Sequence, residues 1–293
     1  MRQDAFRSEL AAALGLEIPA QEPRAVGGGS INHALRFETN RGPIFVKCAR
    51  PQALDMFEAE AAGLQALSEA NAVRVPNVLG VGVRADTAFL ALEWIEFGSA
   101  NARAERTLGE QLARQHRVTA DRFGWIRDNT IGSTPQLNAW SEDWICFLRE
   151  RRLGYQLDLA LRNGASARVI DRGRRLCDSL DALFSDYRPV PSLLHGDLWG
   201  GNWSADSHGQ PVIFDPAVYF GDREADIAMT RLFGGFRREF YAAYDSTWPR
   251  APGADLRCTL YNLYHVLNHF NLFGGGYLSQ AGSMIDSLLA EIA

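Results

Sequence analysis

Hydrophobic residues recur every three or four positions over 2–14, where Phe6, Leu10 and Ala13 or Leu14 share a face, and again over 56–70 at Phe57, Ala61, Leu64 and Leu67. That spacing puts the apolar side chains on one stripe of an α-helix. Between the two helices the period changes. A glycine-rich turn, Val26-Gly27-Gly28-Gly29-Ser30-Ile31-Asn32, leads into ALRFET and then, past Asn40-Arg41-Gly42, into PIFVKC. Two short β-prone runs joined by such a turn predict a hairpin. After Pro76 come NVLGVGV and AFLALEWI, which suit two more strands. The order helix, strand, strand, helix, strand, strand predicts a small lobe in which one helix packs on an antiparallel sheet.

Beyond Gly98 the pattern is mainly helical. Residues 106–119 place Leu108, Leu112 and Gln115 or His116 on one stripe, and 141–161, 167–184 and 256–273 carry the same spacing. A tryptophan-rich loop is expected over 123–141, and LLHG and VIFD are brief β-prone runs among loops. The expected fold is α/β (α+β) with two lobes, residues 1–97 and 98–293, and the chain shows no internal repeat.

Composition narrows the class of protein. With 46% hydrophobic and 22% charged residues, the 293-residue chain has the make-up of an ordinary enzyme. A net charge of −5 without any basic block argues against a nucleic-acid partner, whose affinity comes from clustered cations. Apolar runs such as AFLAL fall far short of the roughly 18 residues of a membrane span, and the first residues lack the apolar core of a secretion signal. Cys48, Cys146, Cys177 and Cys258 are widely spaced with no CxxC pair, which predicts free thiols in the cytoplasm and neither disulfides nor a zinc site. Of the 30 cations one is lysine, Lys47, and 30 − 1 = 29 are arginine. Arginine-rich codon usage accounts for the 29; the position of the survivor is the informative part.

Lys47 ends the apolar strand IFVK behind the glycine-rich turn, and Glu60 follows 60 − 47 = 13 residues later on the next helix. An ammonium on a strand, oriented by a helix carboxylate, is how a kinase lobe grips the α- and β-phosphates. Glu58 competes with Glu60 for this place. Glycines 28 and 29, with Ser30, suit close approach of backbone N–H groups to phosphate. Downstream stand His195-Gly196-Asp197, then Asn202 and Asp215, separated by 202 − 197 = 5 and 215 − 202 = 13. A loop bearing Asp-x₄-Asn, with an Asp ending an apolar strand at hairpin distance, offers a carboxylate for the attacking hydroxyl and two oxygen ligands for Mg²⁺ on the nucleotide.

In these motifs the chain resembles the fructosamine (ketosamine) kinases, relatives of the aminoglycoside and choline phosphotransferases with a protein-kinase-like fold. The resemblance runs through GGGSINHALRF, GPIFVK, FEAEAAGLQAL, VRVPNVLGVG, DNTIGSTPQLNAW, DWICFLRERRL, LLHGDLWGGN, IFDPAVYFGDREADIAM, LFGGF and LYHVLNHFNLFGGGY. It implies ATP and Mg²⁺, Asp197 as catalytic base, Asn202 and Asp215 as metal ligands, Lys47 paired with Glu60, and Glu93-Trp94-Ile95 as the hinge for adenine. It also implies phosphorylation at the 3-hydroxyl of a ketosamine, free or on a protein lysine, in deglycation repair. Some members carry cysteine in the glycine-rich turn; Ser30 here removes thiol control at that place.

For the acceptor, Trp199 and the segment Asp128, Asn129, Gln136, Asn138 and Trp140 offer the aromatic faces and amides that a polyhydroxylated sugar needs, although Trp140 and Trp144 also fit a core stripe. Asp226 reads as a brace behind the catalytic loop. His265 and His269 read as packing, and Arg149, Arg151 and Arg152 as a solvated face. The competing activities are an aminoglycoside- or choline-type phosphotransferase and an inactive pseudokinase. The IGxTPQxN segment argues against the first, and intact Lys47, Asp197, Asn202 and Asp215 against the second.

Overall fold

A computed structural model describes residues 2–27 and 33–292, so Gly28, Gly29 and Ser30 lie outside the described residues. Helix α1 (Arg2–Leu14) precedes strands β1 (Arg24–Val26), β2 (His33–Phe37) and β3 (Ile44–Ala49); helix α2 (Leu54–Glu69) follows, then β4 (Val78–Arg84) and β5 (Thr87–Glu93). The strands form one sheet in the order β1-β2-β3-β5-β4, and every neighbouring pair is antiparallel.

Strand periodicity decides which way Lys47 faces. Side chains alternate between the faces of a sheet. Ile44, Val46 and Cys48 of β3, with Phe89 and Ala91 of β5, pack with Phe6 and Leu10 of α1. Leu90 and Leu92 of β5 join the main core with Phe57, Leu64 and Leu67 of α2. Lys47 alternates with Val46 and Cys48, so it points to the α2 side.

The second part is mostly helical. It contains α3 (Ala102–Gln115), the hairpin β6 (Asn129–Ile131) and β7 (Thr134–Gln136), α4 (Trp144–Phe147), a π-helical turn (Leu148–Gly154), α5 (Tyr155–Arg162) and α6 (Ala167–Asp178). Strands β8 (Ser192–Leu194), β9 (Trp203–Ala205), β10 (Pro211–Ile213) and β11 (Tyr219–Gly221) precede α7 (Glu224–Leu232), α8 (Arg238–Thr247), α9 (Ala254–Phe273) and α10 (Tyr277–Glu291). Antiparallel pairing joins β9 to β10 and β8 to β11.

The pattern of apolar residues misplaces some of this. Helix α3 begins four residues before the expected 106, because the Asn101 side chain caps the N–H groups of Arg103 and Ala104 at 3.0 and 3.1 Å. Its first turn, ARAE, has little apolar content to reveal it. The expected loop over 123–141 encloses the β6–β7 hairpin. The expectation of a solvated face at Arg149, Arg151 and Arg152 fails at Arg152, which is 1% exposed. The π-helical turn advances the helix by a non-α phase, turning its guanidinium inward to 4.1 Å from the centre of the Tyr219 ring.

Candidate active site

Lys47 is buried, and its Nζ donates to Glu60 Oε1 and Asp215 Oδ1, each at 2.7 Å. Burial alone would lower the pKa of this ammonium; the two carboxylates outweigh it and hold the group above its ordinary value. Burial raises Glu60, with Lys47 acting against it. The competing residue, Glu58, lies instead 3.7 Å from Arg127. Asp215 adopts φ +57°, a conformation that disfavours a residue with a Cβ and recurs at functional sites.

The loop after β8 holds Asp197 beside Asn202. The Asn202 amide nitrogen donates to the Asp197 backbone oxygen at 2.8 Å and to Oδ2 at 2.9 Å. Both bonds use the Asn202 nitrogen, and its amide oxygen takes part in neither. Burial is the largest influence on Asp197 and pushes its pKa well above the ordinary carboxylate value; Asp215 and Asp226 add to this, while the Asn202 amide opposes it.

His195 ties this loop to Asp215. Its Nε2 donates to Phe214 O at 3.0 Å and its Nδ1 accepts from the Asp197 N–H at 3.3 Å, which requires the neutral Nε2–H tautomer. Backbone bonds from Ala217 N to His195 O (2.8 Å) and from Phe214 N to Asn202 O (3.0 Å) complete the tie. Gly196 sits between them with φ +83°, where a Cβ would lie 2.0 Å from Ala217 O, so no larger residue fits.

Behind the loop, Asp226 accepts from His195 N at 2.7 Å and Gly196 N at 2.8 Å, and from His116 Nε2 at 3.1 Å. Tyr244 in turn donates to His116 Nδ1 at 2.8 Å. Burial would raise Asp226, but these donors hold it below its ordinary value. His116 was not singled out from the sequence as part of this brace, since a lone histidine ending a helical stripe carries no signal of its own.

In the stretch expected to form the hinge, the Glu93 carboxylate is bound by Arg74 at 2.6 Å and by the Asn77 amide at 3.0 Å. Ile95 is buried, and Arg36 lies 4.7 Å over the Trp94 ring. Phe97 stacks on Phe214 at 5.4 Å, linking the residues after β5 to the Asp215 loop.

The acceptor residues divide into two groups. Trp199 is 37% exposed, edge-on to Phe233 at 6.1 Å, and Phe233 packs on His269 at 4.7 Å. Trp199, two residues after Asp197, thus belongs to a run of aromatic rings with Phe233 and His269. Asn129, Gln136 and Asn138 are buried, with their amides bonded inside the protein. Asn129 Nδ2 donates to Val218 O at 2.8 Å, Gln136 Nε2 to Asn129 Oδ1 at 2.8 Å, and Asn138 Nδ2 to Asn129 Oδ1 at 2.9 Å. These three amides are therefore not placed to meet a sugar, contrary to expectation, because protein groups already hold them. Asp128 is exposed but accepts from Asn138 N at 2.7 Å, and Trp140 stacks on Phe220 at 6.2 Å. Trp144 is core, its indole N–H donated to Tyr261. His269 Nδ1 donates to His265 O at 2.8 Å, consistent with packing of that pair.

A lysine bridging a helix carboxylate and a loop carboxylate, opposite an Asp–Asn catalytic loop, defines a protein-kinase-like phosphotransferase. Residues 2–291 match the model of the fructosamine kinase family, and the chain belongs to that family. It is 44% identical over 286 residues to a probable ketoamine kinase of Synechocystis, covering 96% of this chain and 95% of that one. It is 45% identical over 268 residues to the chloroplastic protein-ribulosamine 3-kinase of Arabidopsis thaliana, covering 90% and 82%. A Thermobifida fusca crystal structure, described as a candidate fructosamine-3-kinase, superposes with a TM-score of 0.87 at 31% identity, covering 98% of this chain and 99% of that one. No helix among the described residues is long and apolar enough to cross a membrane.

Proposed function

We propose that the protein transfers the γ-phosphoryl group of ATP to a sugar hydroxyl of a ketosamine, a fructosyl- or ribulosyl-amine carried by a small molecule or a protein lysine. The observation that carries this reading is the Lys47 ammonium bridging Glu60 and Asp215 at 2.7 Å in a fructosamine kinase chain. Residues 1–97 act as the nucleotide-binding lobe and 98–293 as the catalytic and acceptor lobe. Glycines 28 and 29 with Ser30 cover the phosphates, and the backbone of Glu93, Trp94 and Ile95 receives adenine, the Glu93 carboxylate being engaged by Arg74.

Asp215 and the amide oxygen of Asn202 are one carboxylate and one amide, a donor set that suits hard Mg²⁺ when phosphates and water supply the remaining ligands. Bound there, Mg²⁺ would neutralise charge on the phosphates. Asp197 takes the proton from the acceptor hydroxyl as its oxygen bonds to the γ-phosphorus and the bond to the ADP oxygen breaks. By family analogy the acceptor is the 3-hydroxyl, whose phosphate then leaves with the amine's release in deglycation. The reading places the reaction in the cytoplasm, where four free thiols would stay reduced.

Trp199 supplies the sugar's platform, with Asp128 and Trp140 at the periphery. Trp199→Ala is expected to raise the acceptor KM much more than the ATP KM, because the indole face serves the sugar alone. Steady-state kinetics with each substrate varied checks this; equal shifts in both would return Trp199 to a packing role. The whole reading is tested by ADP release from Mg²⁺-ATP with fructosyl-, ribulosyl- and erythrulosyl-lysine beside kanamycin and choline. Turnover is expected with ketosamines alone, and turnover with kanamycin or choline alone would reverse the assignment.

A further inference from the structure

The segment between α3 and α4 reaches both halves of the Lys47 clamp. Just before β6, Arg127 donates to Asp55 Oδ1 at 2.5 Å, in the first turn of α2, and lies 3.7 Å from Glu58. Glu60 is carried two residues further along the same helix. Gly63 of α2 rests on the loop that follows Asp215 and leads into β11: a Cβ there would meet Val218 Cγ2 at 3.0 Å and Pro216 Cγ at 3.6 Å. The hairpin holds that same loop through its backbone carbonyls. Asn129 Nδ2 donates to Val218 O at 2.8 Å and Gln136 Nε2 to Ala217 O at 3.1 Å.

These amides are themselves anchored in the helical lobe. Tyr264 of α9 donates to Gln136 Oε1 at 2.8 Å, and the buried Arg152 donates to Asn138 Oδ1 at 2.7 Å. Asn129 Oδ1 accepts from both Gln136 and Asn138. A buried network in which every amide has a partner holds its geometry firmly, since breaking one bond leaves a buried polar group unpaired.

We propose that Arg127, Asn129, Gln136 and Asn138 are positioning residues, and that the hairpin is a fixed brace holding Glu60 and Asp215 on Lys47 before nucleotide arrives. This rests on the reading of Lys47, Glu60 and Asp215 as the nucleotide clamp. In this arrangement α2 needs no separate activating event to carry Glu60 inward, because Arg127 grips its first turn and Gly63 seats it on the loop that follows Asp215. Arg127, Asn129, Gln136 and Asn138 act through Lys47, their side chains being bonded within the protein.

The sole lysine makes the brace measurable without turnover. In nucleotide-free protein an amine-directed acylating reagent meets Lys47 and the N-terminal amine, and peptide mapping separates the two. Arg127→Ala and Asp55→Ala each remove the surface grip on α2 and are expected to speed Lys47 acylation several-fold while the N-terminal rate stays fixed. They should lower kcat by about tenfold, short of the hundredfold that a full ångström of misplacement can cost, and raise the ATP KM. The double variant should be no worse than either single one, and the exchanged pair Arg127→Asp with Asp55→Arg should recover most of the loss. Asn129→Ala tests the buried arm in the same way; if it fails to fold, the surface pair decides alone. Unchanged Lys47 acylation in the Arg127 and Asp55 variants, even with a lowered Tm, would overturn the proposal, as would an effect confined to the acceptor KM. Because acylation is read without substrate, a chain that phosphorylates no ketosamine but shows faster Lys47 labelling would contradict the proposed activity while leaving the brace standing.

Discussion

Asp197→Asn is expected to lower kcat by roughly 10²–10⁴ while leaving nucleotide binding in place. Asparagine keeps the shape of the side chain and an oxygen to accept from Asn202, so the loop tied by His195 and Asp226 should not move. What is lost is the ability to take a proton. The wild-type carboxylate also sets the acid limb of the pH profile. Its pKa is raised, chiefly by burial, so protonation disables it at a higher pH than an ordinary carboxylate. Activity should therefore fall with falling pH through a midpoint above the usual range near 4. A variant within a few-fold of wild-type kcat would remove Asp197 from the role of base.

Lys47→Arg is expected to cost roughly 10² in activity with the fold retained, although arginine occupies every other cationic position in this chain except the histidines. The ammonium is a compact charge held by two carboxylates from different elements, each at 2.7 Å, in a buried site. A guanidinium is planar, wider and forked. It cannot keep both contacts without displacing α2 or the Asp215 loop, and displacements of about 1 Å in a positioning group can cost about 10²-fold. Mg²⁺-ATP should also shield Lys47 from acylation in the wild type while the N-terminal amine stays reactive. Full activity in the arginine variant, together with acylation that ATP fails to slow, would make the lone lysine an accident of codon usage.

The Lys47–Glu60 contact was legible because two regular periods fixed it. Alternation along β3 and β5 sets the face of Lys47, and the helical stripe of α2 brings Glu60 over it. Glu58 and Glu60 are only two positions apart, so choosing between them needed the position of Arg127, which no local pattern carries. The Asp197–Asn202 pair was legible from its spacing, since five residues of loop suffice to bring the amide to the carboxylate.

Amide-rich Asn129, Gln136 and Asn138 misled in a different way. Amide side chains suit a sugar and suit backbone carbonyls equally well. Only the long-range partners, Val218, Ala217, Tyr264 and Arg152, reveal that these amides face inward. Arg152 itself reads as a surface charge because its burial depends on a π-helical turn and on the rings of Tyr219 and Tyr264, distant in sequence. Strands β9 and β11 escaped notice because three residues each are too few to show a period.

The central claim is tested most directly by incubating the protein with Mg²⁺-ATP and fructosyl-lysine and following the sugar's phosphorus resonance beside that of ADP. The account predicts one phosphate ester on the sugar for each ADP formed, with the signal abolished in Asp197→Asn. ADP formed without a sugar phosphate, or a sugar phosphate formed at wild-type rate by Asp197→Asn, would contradict it.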